Sequence, residues 1–392
     1  MALSESRPPL YLDSHATTLL DPRVREAMWP WLLVPCNASS TSHRYGWRAA
    51  EGVERARQQV ARLLNCEPHE LIFTSGATEA NNLALKGILQ APRAKGWGLV
   101  TSLVEHRAIL DPARRLARRG TEVVFVPVTR QGAIDLDRFR DSLTPQTRLV
   151  SLILANNEVG TINPIAEAGA ICRERGIWLH CDAAQAVGKI PLDLRQLPVD
   201  LLSLSAHKLH GPQGVGALYV RRSEPRLPLE PLFEGGGQEY RLRPGTLPVP
   251  LIVGLGAACE ACGEDLPAEG LRLAHLRDRL WQGLTERLEG IHRNGDPRHS
   301  LPGNLNVSFE GVPGDRLLAA MTEIAVSSGS ACSSADPEPS HVLRAMGVPE
   351  RLALATLRFG LSRFNTAEEI DFASDWVARV VNQLRSQPAG TG

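Results

Sequence analysis

The sequence predicts an α/β protein: a mostly parallel sheet with helices on both faces, joined to a smaller α+β domain. Three observations carry this expectation. Short apolar runs alternate with stretches of helical period from Leu71 to Val220, the pattern of repeated β-then-α units. The β and α patterns follow one another at short spacing through this region. Beyond Pro244-Gly245-Thr246 the alternation stops, which puts a large domain at 15–260 and a smaller one at 261–392, the latter joined by 1–14.

Taken in order, Pro35 to Gly46 reads as a loop, and Val53, Ala56, Val60, Leu63 and Leu64 recur at helical spacing. Leu71 to Phe73 is a short strand that runs through Thr74-Ser75-Gly76-Ala77-Thr78 into a helix, Glu79 to Leu89. The first turn of a helix offers unpaired N–H groups and a partial positive charge, so this turn can hold a phosphate. Strand 98–104, helix 112–119, strand 122–128, helix 136–143, strand 148–154, helix 166–175 and strand 177–180 follow. The apolar run from Leu201 and the second run, Val215 to Val220, flank an exposed corner that carries Lys208. Past the break, 251–262 and 272–288 read as helices and 304–309 and 357–361 as strands, and the residues from Ser386 onward read as a frayed tail.

Composition narrows the function. The 392 residues are 43% apolar, with 43 basic and 43 acidic side chains, so no excess of positive charge points to nucleic acid. Arg114, Arg115, Arg118 and Arg119 are spaced to line the solvent side of a helix. The N-terminus lacks a signal or transit pattern, and the longest apolar runs are too short to span a bilayer, so the expectation is a cytoplasmic protein with no membrane partner. Seven cysteines without a framework fit free thiols. Cys259 and Cys262 fall within a helical pattern and lack a second pair, so no metal site is expected.

Ligands of doubly wound sheets bind just past the carboxyl ends of the strands. There the sequence places Ser75 to Thr78, His106, Asn156-Asn157, Asp182 with Gln185, and Lys208. The chain has only four lysines, Lys86, Lys95, Lys189 and Lys208, and uses arginine elsewhere. Arginine cannot form an imine, whereas an amine of lowered pKa can. A lysine, an acidic group and anion donors on one edge are what pyridoxal 5'-phosphate requires. In that reading Asp182 meets the pyridine nitrogen, His106 stacks on the ring, and Gln185 and Asn157 reach its oxygen. Lys86, Lys95 and Lys189 lie outside any comparable constellation.

The stretches YLDSHATT (11–18), SGATEANN (75–82), EH (105–106), ANNEVGTINPI (155–165), HCDAAQAVGK (180–189), SAHKLHGPQGVGALYV (205–220), GGGQEYRLRPGT (235–246), SSGSACSS (327–334) and LRFGLSRF (357–364) carry a family resemblance. In order and spacing they resemble the cysteine desulfurases of the nitrogen-fixation and iron–sulfur-cluster type, fold-type I enzymes of the class V aminotransferase group. The resemblance implies that Lys208 holds the cofactor and moves a proton. It implies that Ala77, Thr78, Ser205 and His207 surround the phosphate, that Thr246 reaches the phosphate of the other subunit of a homodimer with shared sites, and that Arg358, with Asn157, grips the carboxylate of L-cysteine. Cys332 would take the sulfur as a persulfide and pass it to an acceptor protein, a cluster scaffold or a thiolation carrier. A selenocysteine lyase or an aminotransferase of the same class is the alternative, in which Cys332 is dispensable. Ser14-His15 stands where the family usually has an asparagine pair.

Overall fold

The computed structural model describes residues 8–222, 226–328 and 339–387. In chain order its elements are β1 (Leu10–Tyr11), α1 (Pro22–Leu32), α2 (Arg44–Leu64), β2 (Leu71–Thr74), α3 (Ala77–Leu89), β3 (Gly98–Ser102), α4 (Arg107–Arg118), β4 (Val123–Val126) and α5 (Leu136–Ser142). Then come β5 (Thr147–Ile153), α6 (Ile165–Glu174), β6 (Trp178–Asp182), β7 (Leu201–Ser205), β8 (Gly216–Val220), α7 (Val249–Gly263) and α8 (Leu266–Arg287). The chain closes with β9 (Ile291–Asn294), β10 (Asn304–Phe309), α9 (Gly314–Leu317), β11 (Ile324–Ala325), α10 (His341–Ala345), α11 (Glu350–Leu354), β12 (Thr356–Gly360) and α12 (Ala367–Ser386).

The central sheet has seven strands in the order β2-β8-β7-β6-β5-β3-β4. The pairs β3–β4, β3–β5, β5–β6 and β6–β7 are parallel, and β8 runs antiparallel to both of its neighbours. Strands such as β7 are buried throughout because helices cover both faces. Their side chains alternate between two cores: Ile72, Leu99, Leu149 and Leu201 pack with α3 and α4, while Phe73, Val100, Val150 and Leu202 pack with α1, α2, α6 and α7. A third core joins α8 and α12 to the antiparallel sheet β12-β10-β9, with Leu280, Val307, Phe359 and Val381 at its centre. Leu12 belongs to that core, and β1 pairs in parallel with β11.

Several elements differ from the sequence reading. Helix α4 starts at Arg107 rather than at Pro112, because His106 accepts a hydrogen bond from Ala108 N and caps the helix upstream of the proline. Helix α2 starts at Arg44, capped by His43. Helices α1 and α12 have no counterpart in that reading, although Asp21-Pro22 and the Thr366–Glu369 capping box are sequence signals for both. Arg114, Arg115 and Arg118 of α4 and Arg119 just past its end face solvent. Cys259 and Cys262 are buried in α7, and no cluster of metal-binding side chains exists among the described residues. Nor is any helix among them long and apolar enough to cross a membrane.

Candidate active site

Because β3, β5, β6 and β7 run parallel, their carboxyl ends lie on one edge. A cleft of about 1040 Å³ opens there, and His106, Asn157, Asp182, Gln185, Ser205, His207 and Lys208 all line it. The turn Ser75–Thr78 supplies another wall, and Arg358 of β12 faces these residues from the third core. Ten of the twelve residues singled out in sequence therefore meet around one space. Thr246 is exposed and does not line the cleft of its own chain, and Cys332 lies outside the described residues.

The corner after β7 is a single 3-10 turn, Ala206–Lys208, and it is not the exposed corner expected from sequence: Lys208 is half-buried. Its Nζ donates to the carbonyl oxygens of His15 (2.6 Å) and Ala16 (2.7 Å). Desolvation, reinforced by Arg358, lowers its pKa to about 8, against the opposing pull of Asp13 and Asp182. The amine is thus poised to be neutral at mildly alkaline pH, the state that can attack a carbonyl.

Asp182, the last residue of β6, is 3% exposed, and its carboxylate is fixed by two donors, Asn81 Nδ2 (2.7 Å) and Ala184 N (3.0 Å). His106 presents its ring to the cleft. Since its Nδ1 accepts from Ala108 N at 3.1 Å, a neutral ring carries its proton on Nε2. Loss of water around the ring lowers its pKa, with Asp182 opposing. His207 pairs with Thr17 Oγ1 at 3.1 Å, and burial, helped by Lys208 and Lys189, brings its pKa to about 4.

At the head of α3, Gly76 is the N-cap with φ +147°, a conformation that side chains resist, and Gly216 must stay bare because a Cβ there would lie 2.7 Å from Gly76 Cα. The N–H groups of Ala77 and Thr78 sit in the first turn, which no intrahelical carbonyl serves. Glu79 in the same turn is occupied, accepting from Ser75 N (2.8 Å) and Arg243 Nε (2.9 Å). Three aligned features therefore suit a phosphate: the free first-turn donors, the glycine cradle, and Ser205 and His207 beside them.

Arg358 is 6% exposed. One Nη2 hydrogen goes to Asp13 Oδ1 (2.8 Å) and one Nη1 hydrogen to the Asn157 carbonyl (3.0 Å), while Nε is buried without a partner. Two further Nη hydrogens thus remain for a ligand, and a guanidinium matches a carboxylate. Asp13 Oδ2 also accepts from Ser327 Oγ at 2.8 Å, and the Ser327 and Arg358 backbones bond to each other.

Sequence reasoning missed four neighbours. Asp13 and Asn81 hold Arg358 and Asp182, and both lie inside stretches that carry the family resemblance. Lys189, set aside in the sequence, belongs to the constellation after all, donating to Gln185 Oε1 at 2.7 Å. Glu158 accepts from Ser340 Oγ, and its burial pushes its pKa up to about 7. A polar residue inside an apolar helical repeat, as Asn81 is, was the one available signal.

The aminotransferase class-V family model matches residues 10–372. A cysteine desulfurase from Homo sapiens is 49% identical over 96% of this chain and 82% of its own length. The cysteine desulfurase IscS of Anaeromyxobacter dehalogenans is 51% identical over 96% of this chain and 93% of its own. Among solved structures, a NifS-like protein superposes with a TM-score of 0.89 at 37% identity, covering 96% of this chain and all of the other.

Proposed function

We propose that this chain, which belongs to the aminotransferase class-V family, is a pyridoxal phosphate-dependent cysteine desulfurase that converts L-cysteine to L-alanine and keeps the sulfur as a persulfide on Cys332. The observation that carries the reading is the placement of Lys208. A half-buried amine of lowered pKa stands in the cleft whose walls also hold the carboxylate of Asp182 and the guanidinium of Arg358. The residues fit the cofactor. Lys208 is the covalent anchor, Asp182 the partner of the ring nitrogen, and His106 the stacking group. Gln185 and Asn157 serve the ring oxygen. The first-turn N–H groups of Ala77 and Thr78, with Ser205 and His207, hold the phosphate, and Thr246 reaches the phosphate of the partner in a homodimer. When bound, the cofactor supplies an electron sink for the substrate's α-carbon.

The chain's own residues do the rest. Arg358, fixed by Asp13, binds the carboxylate of L-cysteine beside Asn157, so the α-carbon is presented to Lys208, which takes its proton as the neutral amine. Cys332 attacks the substrate sulfur as a thiolate, and a sulfur–sulfur bond forms while the carbon–sulfur bond breaks. A sulfur-acceptor protein, a cluster scaffold or a thiolation carrier, then receives the terminal sulfur. Incubation with cysteine followed by mass spectrometry is expected to find one added sulfur on Cys332. Sulfide release at the wild-type rate by Cys332→Ser would overturn the persulfide step in favour of a lyase that works without it.

A further inference from the structure

A second cavity, of about 20 Å³, shares His15 and Lys208 with the cleft and is closed by Ser14, Lys189, Gly303 and Ser362, among others. Ser14 and His15 are each 2% exposed, and each keeps a buried polar atom without a partner, Ser14 Oγ and His15 Nε2. Hydrogen bonding fixes the imidazole tautomer. Gln185 Nε2 donates to the His15 carbonyl at 2.9 Å, which turns Gln185 Oε1 toward His15 Nδ1 at 3.1 Å. An amide oxygen only accepts, so Nδ1 carries the ring hydrogen. Lys189 Nζ donates one hydrogen to the same Oε1 at 2.7 Å, and at 3.5 Å from Nδ1 it makes the longer and weaker of its two contacts. Burial, then the charges of Lys189, Arg358 and Lys208, keep the ring neutral. Glu269, which also lines the cavity, is engaged by Arg363. His15 Nε2 is therefore a bare acceptor and Ser14 Oγ an unpartnered hydroxyl, on two residues that both line one small space.

We propose that a single internal water occupies this space, donating to His15 Nε2 and accepting from Ser14 Oγ. In this arrangement the His15 ring is a positioning residue that, together with its own carbonyl and Lys189, holds the Gln185 amide with its nitrogen on the Lys208 side. The cavity exceeds the ~10–15 Å³ that one water needs, and it offers polar partners. The locked amide puts Gln185 Nε2 on the carbonyl that also takes Lys208 Nζ, and Oε1 on the Lys189 side. With a donor rather than an acceptor held beside Lys208, negative charge on a cofactor oxygen is favoured, so the lysine-bound nitrogen releases its proton more readily. That consequence rests on the pyridoxal phosphate reading, whereas the tautomer and the water do not.

The two parts are tested separately. In protein prepared without cofactor, nitrogen NMR of labelled histidines is expected to show His15, identified by its loss in His15→Leu, protonated on Nδ1 alone from about pH 6 to 9. A crystal structure is expected to show the water. A ring protonated on Nε2, a ring that gains charge in that range, or a dry cavity overturns the proposal. With cofactor bound, His15→Leu is expected to raise the pH midpoint of the visible absorbance band by roughly half a unit, about threefold in proton affinity. Ser14→Ala, a milder change that removes one partner of the water, is expected to shift it the same way by less. Midpoints unmoved in both variants would show that the lock on Gln185 has no bearing on Lys208.

Discussion

The two lips of the cleft are built differently. On the sheet side, Asp182 has two donors, Lys208 two carbonyl acceptors, and His207 and His106 a fixed partner each. On the opposite lip Arg358 depends on one carboxylate, Asp13, and one carbonyl, that of Asn157. The segment 13–18 runs between them, giving Asp13 to Arg358, the carbonyls of His15 and Ala16 to Lys208, and Thr17 and Thr18 to the His207 turn. The contrast teaches that the groups proposed to hold the cofactor are each fixed by partners around the sheet edge, whereas the guanidinium proposed to hold the substrate rests on one ion pair and one carbonyl that reach it from distant parts of the chain.

The contrast has measurable consequences. The largest is expected for Arg358→Lys, which loses the planar fork: kcat/KM for cysteine should fall by about a hundredfold while the visible band of bound cofactor stays unchanged. A lost band would mean that the two lips are not independent. Next is the pH dependence of cofactor uptake by the cofactor-free protein. The Lys208 pKa lies below its ordinary value, at about 8, so the reactive neutral amine is scarce below that pH and saturates above it. Uptake, followed by growth of the visible band, should rise about tenfold from pH 7 to 9 and then level. A rise that continues to pH 10 would mark Lys208 as an ordinary lysine. The smallest effect is expected for Asn81→Leu, which removes one of two donors to Asp182. Cofactor retention should weaken about fivefold, roughly 1 kcal/mol, the redundancy absorbing the rest. A complete loss would place the fragile side of the cleft at the sheet.

Much of this was legible in the sequence, for a physical reason. Strand period and turn composition locate the carboxyl edge of the sheet, and every polar residue at that edge becomes a candidate, which is how His106, Asn157, Asp182, Gln185 and Lys208 were found. The roles of Asp13, Asn81 and Lys189 were not legible, because each acts by holding another side chain. Asp13 and Arg358 are 345 residues apart and Asn81 and Asp182 are 101 apart, and no local pattern records such pairings. Lys189 lies only four residues from its acceptor Gln185, yet its part depends on where His15 sits in space. Thr246 was singled out by family resemblance alone, and Cys332 chiefly so, its run of small residues from Ser327 to Ser334 being only a weak local signal.

The bond between Asp13 and Arg358 also sets an order of events during synthesis. All the residues that line the sheet side of the cleft, from the head of α3 to Lys208, are made well before β12. On the proposed roles, a growing chain that has folded this sheet would already hold its anchoring lysine and ring partner, yet would have no grip for an amino acid until β12 docks against the first residues. Under that assignment competence to retain a cofactor would precede competence to act on a substrate, and truncation near the end of the chain would separate the two.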